Sequence, residues 1–210
     1  VESGKWRAHP TYFPLSTFFS IGAISPQFFP TAAEVTSGTP CDSSAESTDS
    51  IMRLIAGIKD TLIIDDSYNS SPTAAIAAIE TLAEIEPERG GERYAVLGDM
   101  AELGNLARDS HVAVGRRVAD LPINFLITVG ELGKEIGKAA KEAGMKEHCV
   151  ADFSTSDEAG LFLQEKLEPG DVVLVKGSQV ARMEKIVKEV MAEPLRAEEL
   201  LVRMDAHWVK

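Results

Sequence analysis

A chain of 210 residues with 44% apolar and 26% charged residues can bury one good-sized domain and carry some additional segment. Its formal net charge of −12 disfavours general nucleic-acid binding, because the phosphate backbone would be repelled. Two widely separated cysteines, Cys41 and Cys149, make no disulfide framework and suit a reduced, cytoplasmic setting.

The uncharged stretch Thr11 to Ala33 is long enough to be tested as a membrane span. Pro14, Pro26 and Pro30 would break such a helix, and no basic cluster followed by a compact apolar block marks a signal peptide. Residues 1–50 show neither strand nor helix periodicity, and Ser37 to Ser50 is nearly all small or polar, so an irregular or disordered segment is expected there. A first residue Val1 rather than methionine fits a fragment or a processed product.

From residue 51 the pattern becomes that of an α/β domain extending to residue 193. Arg53 to Ile58 and Thr61 to Ile64 are strands around a tight turn at Lys59-Asp60. Pro72 starts a helix, where its missing N–H costs nothing, with Ile76, Ile79, Leu82 and Ala83 on one face. Strands follow at Tyr94–Leu97, Phe125–Val129, His148–Ala151 and Asp171–Val175. They alternate with helices at Leu106–Ala119, Glu131–Ala143, Ser156–Leu167 and Val180–Met191. A tail or short helix is expected over 194–210. Such alternation predicts βαβ units, hence a Rossmann-like, mostly parallel sheet with helices on both faces. Right-handed crossovers then put the strand C-termini on one edge, where ligands bind.

Three strand ends carry polar side chains to that edge. In Ile63-Ile64-Asp65-Asp66-Ser67-Tyr68-Asn69, a carboxylate beside an aromatic ring and an amide suits the sugar and base of a nucleotide, or simply caps a turn. In Gly98-Asp99-Met100-Ala101-Glu102-Leu103-Gly104, the glycine permits a sharp turn and Asp99 and Glu102 project to the same edge; a capping loop is the structural alternative. In Lys176-Gly177-Ser178, a lysine ending a very apolar strand needs a partner. That partner is either a phosphate or substrate carboxylate, or an aspartate, Asp66 or Asp99. His111 reads as a packing or surface residue rather than a catalytic one, and Arg182 and Lys185 as solvated. The sequence has no G-x-G-x-x-G, no G-x-x-x-x-G-K-[ST], no zinc-type His/Cys spacing and no G-x-S-x-G elbow.

Taken together, Asp65-Asp66-Ser67-Tyr68-Asn69, Leu97 to Gly104 and Val175-Lys176-Gly177-Ser178 with Arg182-Met183-Glu184 resemble the C-terminal domain of the Mur ligases over Met52 to Glu193. The nearest branch is the one that joins D-alanyl-D-alanine to UDP-N-acetylmuramoyl-tripeptide. The resemblance implies a cytoplasmic enzyme of peptidoglycan synthesis that forms an acyl phosphate with ATP and Mg2+ and lets an amine displace phosphate. It implies that Asp66, Tyr68 and Asn69 face the nucleotide, and that Asp99, Glu102, Lys176 and Ser178 lie toward the acceptor and the closing interface. No residue of this chain is assigned a catalytic or metal-binding role. ATP and Mg2+ belong mainly to the family's central domain, whose phosphate loop and modified lysine are not found in residues 1–50, so the chain alone is expected to be inactive. Two departures stand out: Asp49-Ser50-Ile51 replaces the family's Pro-Gly-Arg before Met52, and Gln179-Val180 replaces Arg-Gly after the K-G-S motif. The order of Asp65-Asp66, Asp99 and Lys176 also mimics a phosphoacceptor receiver domain, and a non-catalytic remnant is a third reading.

Overall fold

A computed structural model describes residues 52–202; the irregular segment expected over 1–50 lies outside the described residues. The elements run β1 (Arg53–Ala56), β2 (Leu62–Asp66), α1 (Pro72–Glu84), β3 (Arg93–Gly98), α2 (Ala107–Ala119), β4 (Phe125–Val129) and α3 (Gly133–Glu142). They continue with β5 (Val150–Phe153), α4 (Ser156–Lys166), β6 (Val172–Lys176), α5 (Glu184–Val190) and α6 (Ala197–Leu200). One six-stranded sheet has the order β1-β2-β6-β3-β4-β5. β1 is antiparallel to β2, and every other pairing is parallel. The expected α/β fold with a mostly parallel sheet is therefore the one observed.

Strand alternation sorts the core into two layers. Ile63, Val96, Ile127, Val173 and Val175 face α4 and α5. Ile64, Ala95, Leu97, Leu126 and Leu174 face α1, α2 and α3. Because both faces are covered, the central strand reads as the unbroken apolar run Val172-Val173-Leu174-Val175. On α1 the buried stripe centres on Ala75, Ala78, Ile79 and Leu82, with Ile76 and Ala83 only half-buried. The turn between β1 and β2 forms as expected, with Lys59 and Asp60 both at positive φ (54° and 58°). Lys59 Nζ reaches across to the Gln164 and Leu167 carbonyls at the end of α4.

The helix expected over Val180–Met191 is corrected to a 3-10 turn at Gln179–Ala181 followed by α5. Arg182 between them is left-handed, with φ 52° and ψ 42°. The cause is packing under the strand ends. Met183 is fully buried there, and a Cβ on Gly98 or Gly177 would come within 2.7 Å of its Sδ or 2.6 Å of its Cγ. Val180, the expected first residue of that helix, is 80% exposed. Within the described residues after α5 the short helix α6 is anchored: Ala197 and Leu201 are buried against the α5 layer. Arg53 Nη1 donates to the Glu199, Leu200 and Leu201 carbonyls at its C-terminal end.

Candidate functional site

The chain reverses direction across the sheet at β6. From β2 to β5 it advances through α1, α2 and α3 on one face, then returns through α4 on the other to insert β6 between β2 and β3. Helices thus leave β6 and its two neighbours toward opposite faces, which opens a crevice at the carboxyl ends of these strands. All three polar strand ends expected from the sequence meet at that point.

On the α1 side, Lys176 Nζ donates to Asp66 Oδ2 at 2.7 Å and to the Asn69 carbonyl at 2.9 Å. The two side chains are 1% and 3% exposed. Of the readings open for Lys176, the aspartate pair is the one formed. The lysine holds the end of β2 and the start of the following loop in place. Asp66 and Lys176, expected to face different ligands, face each other. Beyond the pair, Tyr68 is 42% exposed and Asn69 is exposed. Asn69 Oδ1 accepts from the Ser70 N–H at 2.8 Å, and Ser71 caps α1.

At the end of β3, the Asp99 carbonyl accepts from the Ser178 N–H at 2.9 Å, which ties the second strand end to the third. The Asp99 carboxylate turns to the neighbouring unit, where Oδ1 accepts from Gly133 N at 2.6 Å at the first turn of α3. It therefore serves as a cap delivered from another strand, next to Gly130, which sits at φ 98°. Glu102 is exposed, with its backbone left-handed at φ 62°. His111 is buried and structural. Its Nε2 accepts from the Met100 N–H at 2.9 Å while Nδ1 donates to the Ala107 carbonyl at 2.6 Å, which fixes the neutral Nδ1–H tautomer. Ser178 Oγ is buried and finds no partner among the described residues.

Asp65 and Asp66 are adjacent on β2 and so point to opposite faces. Asp65 is fully buried on the α5 side and accepts from Ser67 N, from Ser67 Oγ at 2.6 Å and from Val202 N at 3.0 Å. Burial pushes its carboxyl above the ordinary value, against the opposing effect of those donors. Sequence reasoning missed this job for Asp65 because its partner Val202 is 137 residues away. It also missed Arg182, read as solvated: Nε donates to Glu184, whose side chain is 5% exposed. A Glu two residues after an Arg in a strand-end loop was the available signal.

A three-strand crevice with these ordered motifs defines the class. The family model described as "Mur ligase, glutamate ligase domain" matches residues 52–179, and the chain belongs to that family. Among characterised relatives, it is 34% identical over 133 residues to the UDP-N-acetylmuramoyl-tripeptide–D-alanyl-D-alanine ligase of Bacillus subtilis (strain 168), covering 63% of this chain and 28% of that protein. The enzyme of the same name from Escherichia coli (strain K12) is 35% identical over 127 residues, covering 60% and 26%. The crystal structure of MurF ligase from Thermotoga maritima in complex with ADP superposes with a TM-score of 0.51 at 28% identity, covering 62% of this chain and 28% of that one. MurF from Acinetobacter baumannii gives 0.54 at 29% identity, with 63% and 29% covered. The chain thus spans little more than a quarter of the length of these relatives. The receiver-like and remnant readings are not favoured. The carboxylate a receiver would phosphorylate, Asp99, is here committed to Gly133. No helix among the described residues is long and apolar enough to cross a membrane.

Proposed function

We propose that this chain is the closing, acceptor-facing domain of an ATP-dependent ligase that joins D-alanyl-D-alanine to UDP-N-acetylmuramoyl-tripeptide in the cytoplasm. In this reaction a carboxylate oxygen of the tripeptide attacks the γ-phosphorus of ATP and ADP leaves. The amine of the dipeptide then attacks the acyl carbon, phosphate departs with its bridging oxygen, and the amine loses a proton. The observation that carries the reading is the convergence of three family motifs at one switch-point edge, locked by the buried Lys176–Asp66 pair and the Ser178–Asp99 bond.

The described residues do not fit a magnesium site. Among them no cluster of three metal-ligating side chains forms, Asp66 is neutralised by Lys176, and Asp99 is turned to Gly133. Mg2+ and the ATP phosphates would instead be held by the enzyme's central portion. The contribution of this domain is to close over the nucleotide, exclude water from the acyl phosphate and orient the amine. Tyr68 and Asn69, exposed past the end of β2, are suited to the nucleotide. Glu102 and Ser178, past β3 and β6, are suited to the acceptor side, with Asp66 and Lys176 as the lock between the strand ends and Asp99 holding the start of α3 behind them.

The test combines the chain with a separately supplied N-terminal and central portion of a relative and follows phosphate release with ATP, Mg2+ and UDP-N-acetylmuramoyl-tripeptide. Release that depends on both this chain and D-alanyl-D-alanine supports the reading. Release indifferent to this chain removes it.

A further inference from the structure

We propose that Arg182, positioned by Glu184, is the group with which this domain grips an oxyanion of its ligand at the sheet edge. The ligase reading enters only in naming the two sources of that oxyanion: a nucleotide phosphate or the carboxylate of the acceptor dipeptide.

The backbone at Arg182 is left-handed (φ 52°, ψ 42°), a conformation that glycine adopts freely and a side chain adopts at a cost. Yet the residue carries a long cationic side chain. Its root is fixed: Nε donates to Glu184 Oε1, and the Glu184 side chain is 5% exposed while that of Arg182 is 45% exposed. A buried carboxylate therefore holds the base of the guanidinium and leaves the outer end in the open. Neither Nη atom meets an acceptor among the described residues. A guanidinium held through Nε alone keeps its two-pronged outer edge for a bidentate oxyanion.

Several other cations of the domain are already engaged. Lys176 is buried against Asp66, Lys185 is paired with Asp157, Lys134 with Glu131 and Arg108 with Glu135. Arg182 lies on the loop that leaves β6, the strand at the switch point. The same loop carries Ser178 Oγ, a buried hydroxyl without a partner. Glu184 acts through Arg182 and is thus a positioning residue.

The test titrates the 15N-labelled chain with inorganic phosphate and, separately, with D-alanyl-D-alanine while following the arginine Nε–H signals. Arg116, exposed on α2, is the reference for non-specific anion contact. Arg182 is expected to saturate at a concentration at least about tenfold lower than Arg116 with one of the two probes, the scale of a charge-assisted bond. The responding probe identifies the source. Arg182→Gly suits the left-handed backbone, and in it the probe-dependent shifts of the Gly177 and Ser178 backbone amides, followed in the same titration, are expected to disappear. Glu184→Gln is expected to weaken the Arg182 response severalfold with the chain still folded. An Arg182 signal no more responsive than Arg116 to either probe overturns the proposal, as does unchanged binding in Arg182→Gly. None of these readouts needs ligation. Failure of the wild-type chain to support ligation would sink the ligase reading and leave this result standing.

Discussion

Replacing Lys176 by methionine takes the paired ammonium from the buried Asp66 carboxylate. Were the pair on the surface, the loss would be about 0–1 kcal/mol. With the two side chains 1% and 3% exposed, the buried regime applies. Removing one partner there costs about 3–5 kcal/mol, because the remaining charge stays buried without the lysine that balanced it. The Asn69 carbonyl also loses its donor, which adds to the cost. Against a typical domain stability of about 5–15 kcal/mol, Lys176→Met alone brings the fold near its limit. The double change Asp66→Leu with Lys176→Met removes both charges and should recover most of the loss, since apolar replacement of a buried pair is often close to neutral. Urea unfolding followed by far-ultraviolet circular dichroism measures all three variants. A single variant costing under about 1 kcal/mol, or a double variant costing the sum of its parts, would show that the pair is not the lock described here.

Gly130→Ala should destabilise by roughly 1–3 kcal/mol, since the new Cβ meets the Asp99 carboxylate and the backbone is at φ 98°; thermal unfolding checks it, and an unshifted midpoint speaks against the cap. Asp99→Ala leaves Gly133 N–H without its acceptor and should cost about 0.5–2 kcal/mol, with amide exchange accelerated at the start of α3. Asp65 gives a pH signature. Its folded carboxyl lies above the ordinary 3.8, so the folded state binds the proton more tightly than the unfolded one. Its stabilising contribution is present below 3.8 and is lost as pH rises through the raised value. Wild type should therefore lose stability relative to Asp65→Asn across that window and hold a constant difference above it. A difference that is flat, or that runs the other way, contradicts the burial account.

Much of the fold was legible because its signals are local. Apolar runs of four or five residues marked β3, β4 and β6, and Pro72 marked the start of α1. The site was legible as three strand ends, since a lysine closing an apolar strand requires a partner. Which partner it takes depends on register: Asp66 lies opposite Lys176 across the β2–β6 pairing. What stayed hidden is long-range or geometric. The capping of α3 by Asp99 joins positions 34 apart, and Asp65 meets Val202 across 137. The break before α5 follows from the room that Met183 needs between Gly98 and Gly177. Apolar periodicity over Val180 to Met191 carries no trace of that.

The claim at the centre is that the crevice at β2, β6 and β3 closes over an acyl phosphate. Supplying UDP-N-acetylmuramoyl-tripeptide labelled with 18O in its reacting carboxylate, together with ATP, Mg2+, D-alanyl-D-alanine, the partner portion and this chain, tests it by mass spectrometry of the released phosphate. One 18O per phosphate, appearing only when this chain is present, is the predicted result. Unlabelled phosphate, or labelled phosphate formed equally well without the chain, would contradict the account.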